Sequence, residues 1–384
     1  MKKNKILFVL GSFFPSQSGG PDNTIYWASR DLSKRNFDVT VISLKKINDL
    51  SGLKKKNLKL NYENTLGSIK SWYFPYIFSN YFSIGMFIWL CRNLKNYEFI
   101  VLTSIFYPMT WFSAILCILY KKKFSISPRG ELEPNAIKIN YFKKRFIFYL
   151  FLKKIFNRAQ FILVTSKQEL IYSRTYFNKM KYEIIPNFID LNEINFSKPD
   201  ILKKRDILFL GRIHPKKGIE NLIKAYFKLP DFIRKDHNLL IVGSGNKNYT
   251  KSLVKLSQTG PNLGKIKFLG HKSGNAKSKI YKKSKIMVLP SYSENFGNVV
   301  LESLCECTPV IASKFTPWKE LKLFNCGDWV KNDPISIAKS LILIFTLNSN
   351  EYHNMSISSR RFVKDKYDIN KFGFIYKRVL EKYI

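Results

Sequence analysis

Acidic residues are scarce in this chain: 27 Asp and Glu stand against 65 Lys and Arg over 384 residues, a formal net charge of +38 at pH 7. That balance excludes an acidic, self-solvating chain and draws the protein toward a polyanion, whether nucleic acid, anionic lipid or a phosphorylated substrate. An AT-rich coding bias would enrich Lys together with Asn, Ile and Phe, but it does not account for the shortage of acids. Cysteine is sparse too. Cys91, Cys117, Cys305, Cys307 and Cys326 form an odd, scattered set, which excludes a disulfide framework and fits a reducing cytoplasm. Cys305-x-Cys307 with Cys326 matches no zinc spacing, so buried thiols are expected. No Asp-x-Asp occurs, and His214, His237, His271 and His353 all fall in the second half. Neither a metal site nor a histidine base in the first half is expected.

Unbroken apolar segments are also missing. Lys2, Lys3 and Lys5 lead into only a short apolar run, too brief for the core of a secretion signal. Two stretches lack charge for long enough to test as spans, 71–91 and 99–120. Pro75, Asn80 and several serines break the first. The second reads as a strand over 99–103, a loop at Tyr107 and Pro108, and a helix ending at the run Lys121, Lys122 and Lys123. The surplus of aromatics still points to a surface that meets lipid without crossing it.

What is present is alternation of short apolar runs with helical patterns, the signature of βα units and parallel sheets. The pattern predicts strands at 5–10, 38–43, 98–103, 123–127, 160–165 and 182–186, then a second series at 206–210, 238–243, 265–269, 285–290 and 308–312. The expected organisation is an α/β chain of two Rossmann-like domains, 1–190 and 205–368. A linker is expected at 191–204, and a C-terminal helix at 369–384 is placed to pack back on the first domain. Such a pair would set a cleft between the carboxyl ends of two parallel sheets. Residues 1–190 hold 30 basic and 11 acidic residues, so the excess charge is spread over both halves and forms no detachable tail.

Three constellations carry chemistry. After the first strand come Gly11 and then Ser16-Gln17-Ser18-Gly19-Gly20, small residues that let backbone N–H groups close on an anion at a helix start. After 206–210 come Gly211-Arg212 and Lys216-Lys217-Gly218, two kinds of cation able to straddle a diphosphate. After 285–290 comes Ser291-Tyr292-Ser293-Glu294-Asn295-Phe296-Gly297-Asn298-Val299-Val300-Leu301-Glu302. Glu294 is expected in the loop, Glu302 inside the helix, and carboxylates so placed suit sugar and ribose hydroxyls while the helix start faces phosphate.

Together with Ser127-Pro128-Arg129-Gly130, Thr165-Ser166, Ile185-Pro186-Asn187 and Val242-Gly243-Ser244-Gly245, these motifs span nearly the whole chain. Their order resembles the retaining glycosyltransferases of family 4, which have the GT-B fold. The resemblance implies that Arg212 and Lys217 hold the diphosphate of a nucleotide sugar, with UDP-sugar favoured over GDP-sugar. It also implies that Glu294 contacts the donor sugar and Glu302 the ribose. The donor site would comprise Gly19, Gly20, Arg212, Lys217, Gly243, Glu294, Asn295, Phe296, Gly297, Asn298, Val299 and Glu302. Catalysis would fall to Glu294, Arg212 and Lys217, with no cofactor required and no metal. The Ser-Pro-Arg-Gly stretch resembles bacterial enzymes of surface-polysaccharide synthesis and puts Arg129 and Gly130 on the acceptor side.

Two departures stand out. Thr103-Ser104-Ile105-Phe106 offers no histidine where many relatives carry one, and Cys307 replaces a usual glycine before the strand at 308–312. The first is compatible with front-face attack in which the leaving diphosphate helps take the proton. The segment 141–158 reads as one basic aromatic helix, with Lys143, Lys144, Arg145, Lys153 and Lys154 among its charges, suited to an anionic bilayer; its apolar stripe equally suits packing on a sheet. The expected enzyme transfers a sugar to a lipid-linked or growing polysaccharide acceptor, at the inner face of the cell membrane. Two alternatives stay open: a basic nucleic-acid-binding protein, although it lacks any such motif, and a noncatalytic relative.

Overall fold

The computed structural model describes residues 3–15, 20–44, 58–76, 82–138, 142, 146–193, 205–261 and 265–384. The chain divides into two compact units, Met1–Asp190 with Asp368–Ile384, and Leu191–Tyr367. Most of the expected linker lies outside the described residues.

Unit 1 is built on an eight-stranded sheet. Its strands are β1 (Asn4–Leu10), β2 (Phe37–Leu44), β3 (Glu63–Leu66), β4 (Ile69–Phe74), β5 (Phe99–Thr103), β6 (Lys123–Ser127), β7 (Ile162–Val164) and β8 (Tyr182–Ile184). They lie in the order β3-β4-β2-β1-β5-β6-β7-β8, parallel except for the β3–β4 pair. The apolar run of β1 shows why both faces are covered. Leu7 and Val9 enter one core while Ile6, Phe8 and Leu10 enter the other, the alternation that a strand imposes. The first core is closed by the helices Ile84–Asn93, Pro108–Leu119 and Lys153–Phe156. The second is closed by Gly20–Lys34 and by the C-terminal helix Phe374–Tyr383, which buries Tyr376, Val379 and Leu380 there.

Unit 2 carries a six-stranded parallel sheet, β9 (Asp206–Leu210), β10 (Leu239–Val242), β11 (Ile266–Gly270), β12 (Ser284–Leu289), β13 (Val310–Ser313) and β14 (Gly327–Val330). Its order, β11-β10-β9-β12-β13-β14, reverses direction between β9 and β12, where ligands gather in doubly wound sheets.

The sequence pattern missed β3, β4 and β14. The β3–β4 hairpin turns at Gly67, in the left-handed region at φ +64°. The aromatics Trp72, Tyr73 and Phe74 that looked like one end of a charge-free stretch form the end of β4, paired parallel with β2. The stretch 99–120 divides as expected, and among the described residues no helix is long and apolar enough to cross a membrane.

A buried polar hub joins the loops after β6, β7 and β8. Glu169, in the helix Lys167–Arg174, accepts hydrogen bonds from Gly130 N–H at 2.7 Å, Thr165 N–H at 2.7 Å and Thr165 Oγ1 at 2.8 Å. Arg129 donates from Nη1 to Asn187 Oδ1 at 2.9 Å. Burial raises the Glu169 carboxyl pKa, opposed by these donors and by the Arg129 charge, and burial lowers that of Arg129. Two motifs far apart in sequence thus share one carboxylate, and Arg129 ties a third to them through Asn187. Glu169→Ala should strand buried donors and destabilise unit 1 by about 3 kcal/mol or more, measured by denaturant unfolding with a probe in that unit; a loss under about 1 kcal/mol would show the hub to be dispensable.

Candidate functional site

Two of the expected donor residues of unit 2, Lys217 and Glu294, meet at its switch point. The loop after β9 runs through Gly211 and Arg212 into a single turn, Pro215–Lys217, capped by the His214 side chain, whose Nδ1 accepts from Lys216 N–H at 3.1 Å. Gly218 follows at φ +62°, and a Cβ there would collide with the carbonyl of Pro290 at the end of β12. Only glycine lets the two loops approach this closely. Tyr292 N–H donates to the Lys216 carbonyl at 2.8 Å and stitches them together.

The consequence is an ion pair between residues 77 apart: Lys217 Nζ donates to Glu294 Oε1, with both side chains mostly buried. Ser291 Oγ donates to the same oxygen at 2.9 Å. Burial alone would raise the Glu294 pKa. The Lys217 charge and hydrogen bond, the Ser291 hydroxyl and the Lys216 charge outweigh it and hold the carboxyl below its ordinary value. Arg212 is exposed on the same loop, and among the described residues no acid pairs with it.

Glu302 sits inside the helix Asn298–Cys305, which begins just after Gly297. Its oxygens are held by two residues that the sequence reading did not single out: Lys277 Nζ donates to Oε1 at 2.8 Å and Tyr281 OH to Oε2 at 3.0 Å. Both lie on Gly274–Lys283. No local pattern marks them, because one is an ordinary helix lysine and the other reads as part of an apolar stripe. The buried side chain of Phe296 is committed to the core, edge-on to Trp318, whose indole N–H donates back to the Phe296 carbonyl at 2.5 Å. Asn295, Asn298 and Val299 are half-buried around the helix start. Gly243 follows β10 and donates to the Gly270 carbonyl at 2.9 Å.

In unit 1, Gly20 opens its helix, while Gly19 lies outside the described residues. Arg129 and Gly130 are engaged in the Glu169 hub. Lys153 is half-buried and Lys154 exposed on the helix that ends at Phe156, and Lys143, Lys144 and Arg145 lie outside the described residues. Where a histidine was absent, Glu131 takes up the turn after β5, accepting from Ser104 Oγ and Ile105 N–H, each at 2.5 Å. None of the cysteines forms a disulfide, and all but Cys91 are buried. Among the described residues no cluster could hold a metal ion.

A carboxyl whose pKa is lower folded than unfolded adds stability that is complete above about 4.3, the ordinary glutamate value, and is lost as pH falls through the folded value. Glu294→Gln should therefore flatten the acid limb of unit 2 stability, followed by urea unfolding at stepped pH. An unchanged limb would mean that Lys217 does not hold the carboxylate in solution.

Known proteins resemble this chain in sequence and in fold. Residues 192–362 match the family described as glycosyl transferases group 1. Over its whole length the chain is 25% identical to an uncharacterised glycosyltransferase of Methanocaldococcus jannaschii, covering 100% of each. It is 30% identical over 115 residues to the O-antigen chain mannosyltransferase B of Escherichia coli, 30% of either chain. Matches at this identity or above span about a quarter to a third of the relatives' length. The crystal structure of Anabaena HepE in complex with UDP superposes with a TM-score of 0.73 at 16% identity, covering 98% of this chain and 100% of that one. Residues 192–362 thus match a glycosyltransferase group 1 domain, and the chain has the GT-B fold.

Proposed function

We propose that this protein is a retaining glycosyltransferase. It moves a hexosyl unit from a nucleoside diphosphate sugar, uridine ahead of guanosine, to a lipid-linked or growing cell-surface polysaccharide at the inner face of the membrane. The observation that carries the proposal is the mostly buried Lys217–Glu294 pair, set at the switch point of the unit 2 sheet beside the exposed Arg212. The UDP bound to HepE and the O-antigen role of the mannosyltransferase support the choice of donor and acceptor.

The donor diphosphate takes the Lys217 ammonium as its counter-ion, with the Arg212 guanidinium free to fork onto the same phosphates. Glu294 then turns to the sugar hydroxyls. The helix that begins at Asn298 presents its N–H groups to phosphate, and Glu302 takes the ribose. Catalysis is positioning plus stabilisation of charge on the departing diphosphate, which helps take the acceptor proton as attack proceeds on the face it leaves. Arg129 and Gly130 shape the acceptor side by fixing their loop.

Charge-assisted contacts are worth about 1.5–3 kcal/mol each. Neutralising Arg212 and Lys217 together should weaken nucleoside diphosphate binding by about a hundredfold or more while leaving the nucleoside nearly unchanged; equal loss by calorimetry would refute the diphosphate site. A thermal-shift panel of uridine, guanosine and adenosine diphosphates reads the base.

The two carboxylates should separate by assay. Glu294→Gln is expected to reduce transfer more than nucleotide affinity, and Glu302→Gln the reverse. Lys277→Met should follow Glu302→Gln, with Lys277→Arg restoring affinity. If Glu294→Gln lost the bare nucleotide and kept full transfer, the assigned roles would be wrong.

A further inference from the structure

Three neighbouring helices of unit 1 carry more apolar surface than their own core uses. Pro108–Leu119 packs against both Ile84–Asn93 and Lys153–Phe156, and the ring of Phe112 closes on Phe82 and Phe87 at 5.5 and 5.7 Å. The inward residues of these helices, such as Leu90, Leu116 and Phe156, fill the first core. The outward rows of Ile84–Asn93 and Pro108–Leu119 hold Ile84 with Ile88 and Phe112 with Leu119, and the helical segment 146–152 that leads into Lys153–Phe156 holds Phe146 and Leu150, all exposed. Each pair is spaced by four or seven residues and so stands on one helix face. Phe146, Leu119 and Leu150 are 66%, 67% and 71% exposed, a cost in water that a solvated helix does not carry in three adjacent rows.

The charge around this ridge identifies what covers it. From residue 64 to 168 the chain holds fifteen basic residues and only three acids, Glu98, Glu131 and Glu133. None of the three is spare: Glu98 accepts from Lys5 N–H, Glu131 holds the turn after β5, and Glu133 is buried. Lys121, Lys154 and Arg158 are exposed at the ends of the same helices. Apolar side chains ringed by cations, without acids, match the interfacial zone of an anionic bilayer. There the apolar rows enter among the acyl chains and the cations stay with the headgroups.

We propose that the outward ridge of these three helices inserts into anionic membrane. This goes further than electrostatic docking of one basic helix and rests on the membrane-surface part of the function proposed above. The ridge differs from a spanning segment because each helix contributes one face only.

The test uses the full chain and vesicles of phosphatidylglycerol and phosphatidylethanolamine, with phosphatidylcholine vesicles as the neutral control. Wild-type protein should co-sediment with the anionic vesicles and keep a salt-resistant fraction. The triple variant Leu119→Ser, Phe146→Ser, Leu150→Ser should lose about tenfold or more in partition, with unchanged thermal unfolding and nucleoside diphosphate binding. A single Leu150→Trp variant should emit to the blue on vesicles and be quenched by brominated lipid. Triple-variant binding equal to wild type, or a tryptophan at position 150 that stays in water, would overturn the proposal. So would self-association in solution that the triple variant abolishes while vesicle binding persists, which would assign the ridge to a second copy. Insertion that persists in a protein unable to bind nucleotide would leave this surface standing and remove the transferase reading.

Discussion

The site in unit 2 depends on mutual neutralisation of an ammonium and a carboxylate away from most of the solvent. Leaving either charge at that depth without the other would be costly, and each arrives in the loop after a different strand. β9 lies beside β12 with no strand between them, so the loops that leave their ends must meet. Gly218 removes the side chain that would hold those loops apart. The two charges satisfy each other, and the proposed diphosphate would replace the carboxylate as partner of the lysine. Substrate binding of this kind would exchange one ion pair for another and hand the carboxylate to the hydroxyls of the sugar.

Glu302 follows the same logic at the next position along. A carboxylate inside a helix would swing among rotamers if it faced water. Lys277 and Tyr281 occupy one oxygen each and hold it in place. The helix that carries them contributes no motif residue, yet it orients the group to which the ribose role is assigned. Unit 1 shows a comparable economy around Glu169, whose two oxygens satisfy the donors of two separate loops. Arg129, expected to face an acceptor, is bonded to Asn187, so its contribution at that edge is to fix the loop.

The net charge of +38 acquires meaning from where the acids are. In the helical layer over the first core of unit 1, the few carboxylates are bonded to backbone or buried, and the surface is left to cations and apolar side chains. An even spread of lysine along the sequence therefore yields a surface with direction.

Much of the fold was legible in the sequence because buried parallel strands read as continuous apolar runs, and eleven such runs were expected where strands stand. The strands that escaped were of another kind. β3 is short and partly exposed, β4 is disguised by aromatics that also suit a helix, and β14 carries only Gly327-Asp328-Trp329-Val330. The residues of the loops after β9 and β12 were also legible, since glycines, cations and paired carboxylates after strands keep their meaning locally. What only tertiary structure decided was who partners whom. Sequence spacing set Glu294 and Glu302 in one motif, but the fold gave them different counter-ions, Lys217 from 77 residues away and Lys277 from 25. It also turned one row of each of three helices outward. Local patterns specify which residues share a helix face or strand end, whereas the order of strands in a sheet specifies which faces and ends meet, and that order is set by packing over the whole chain.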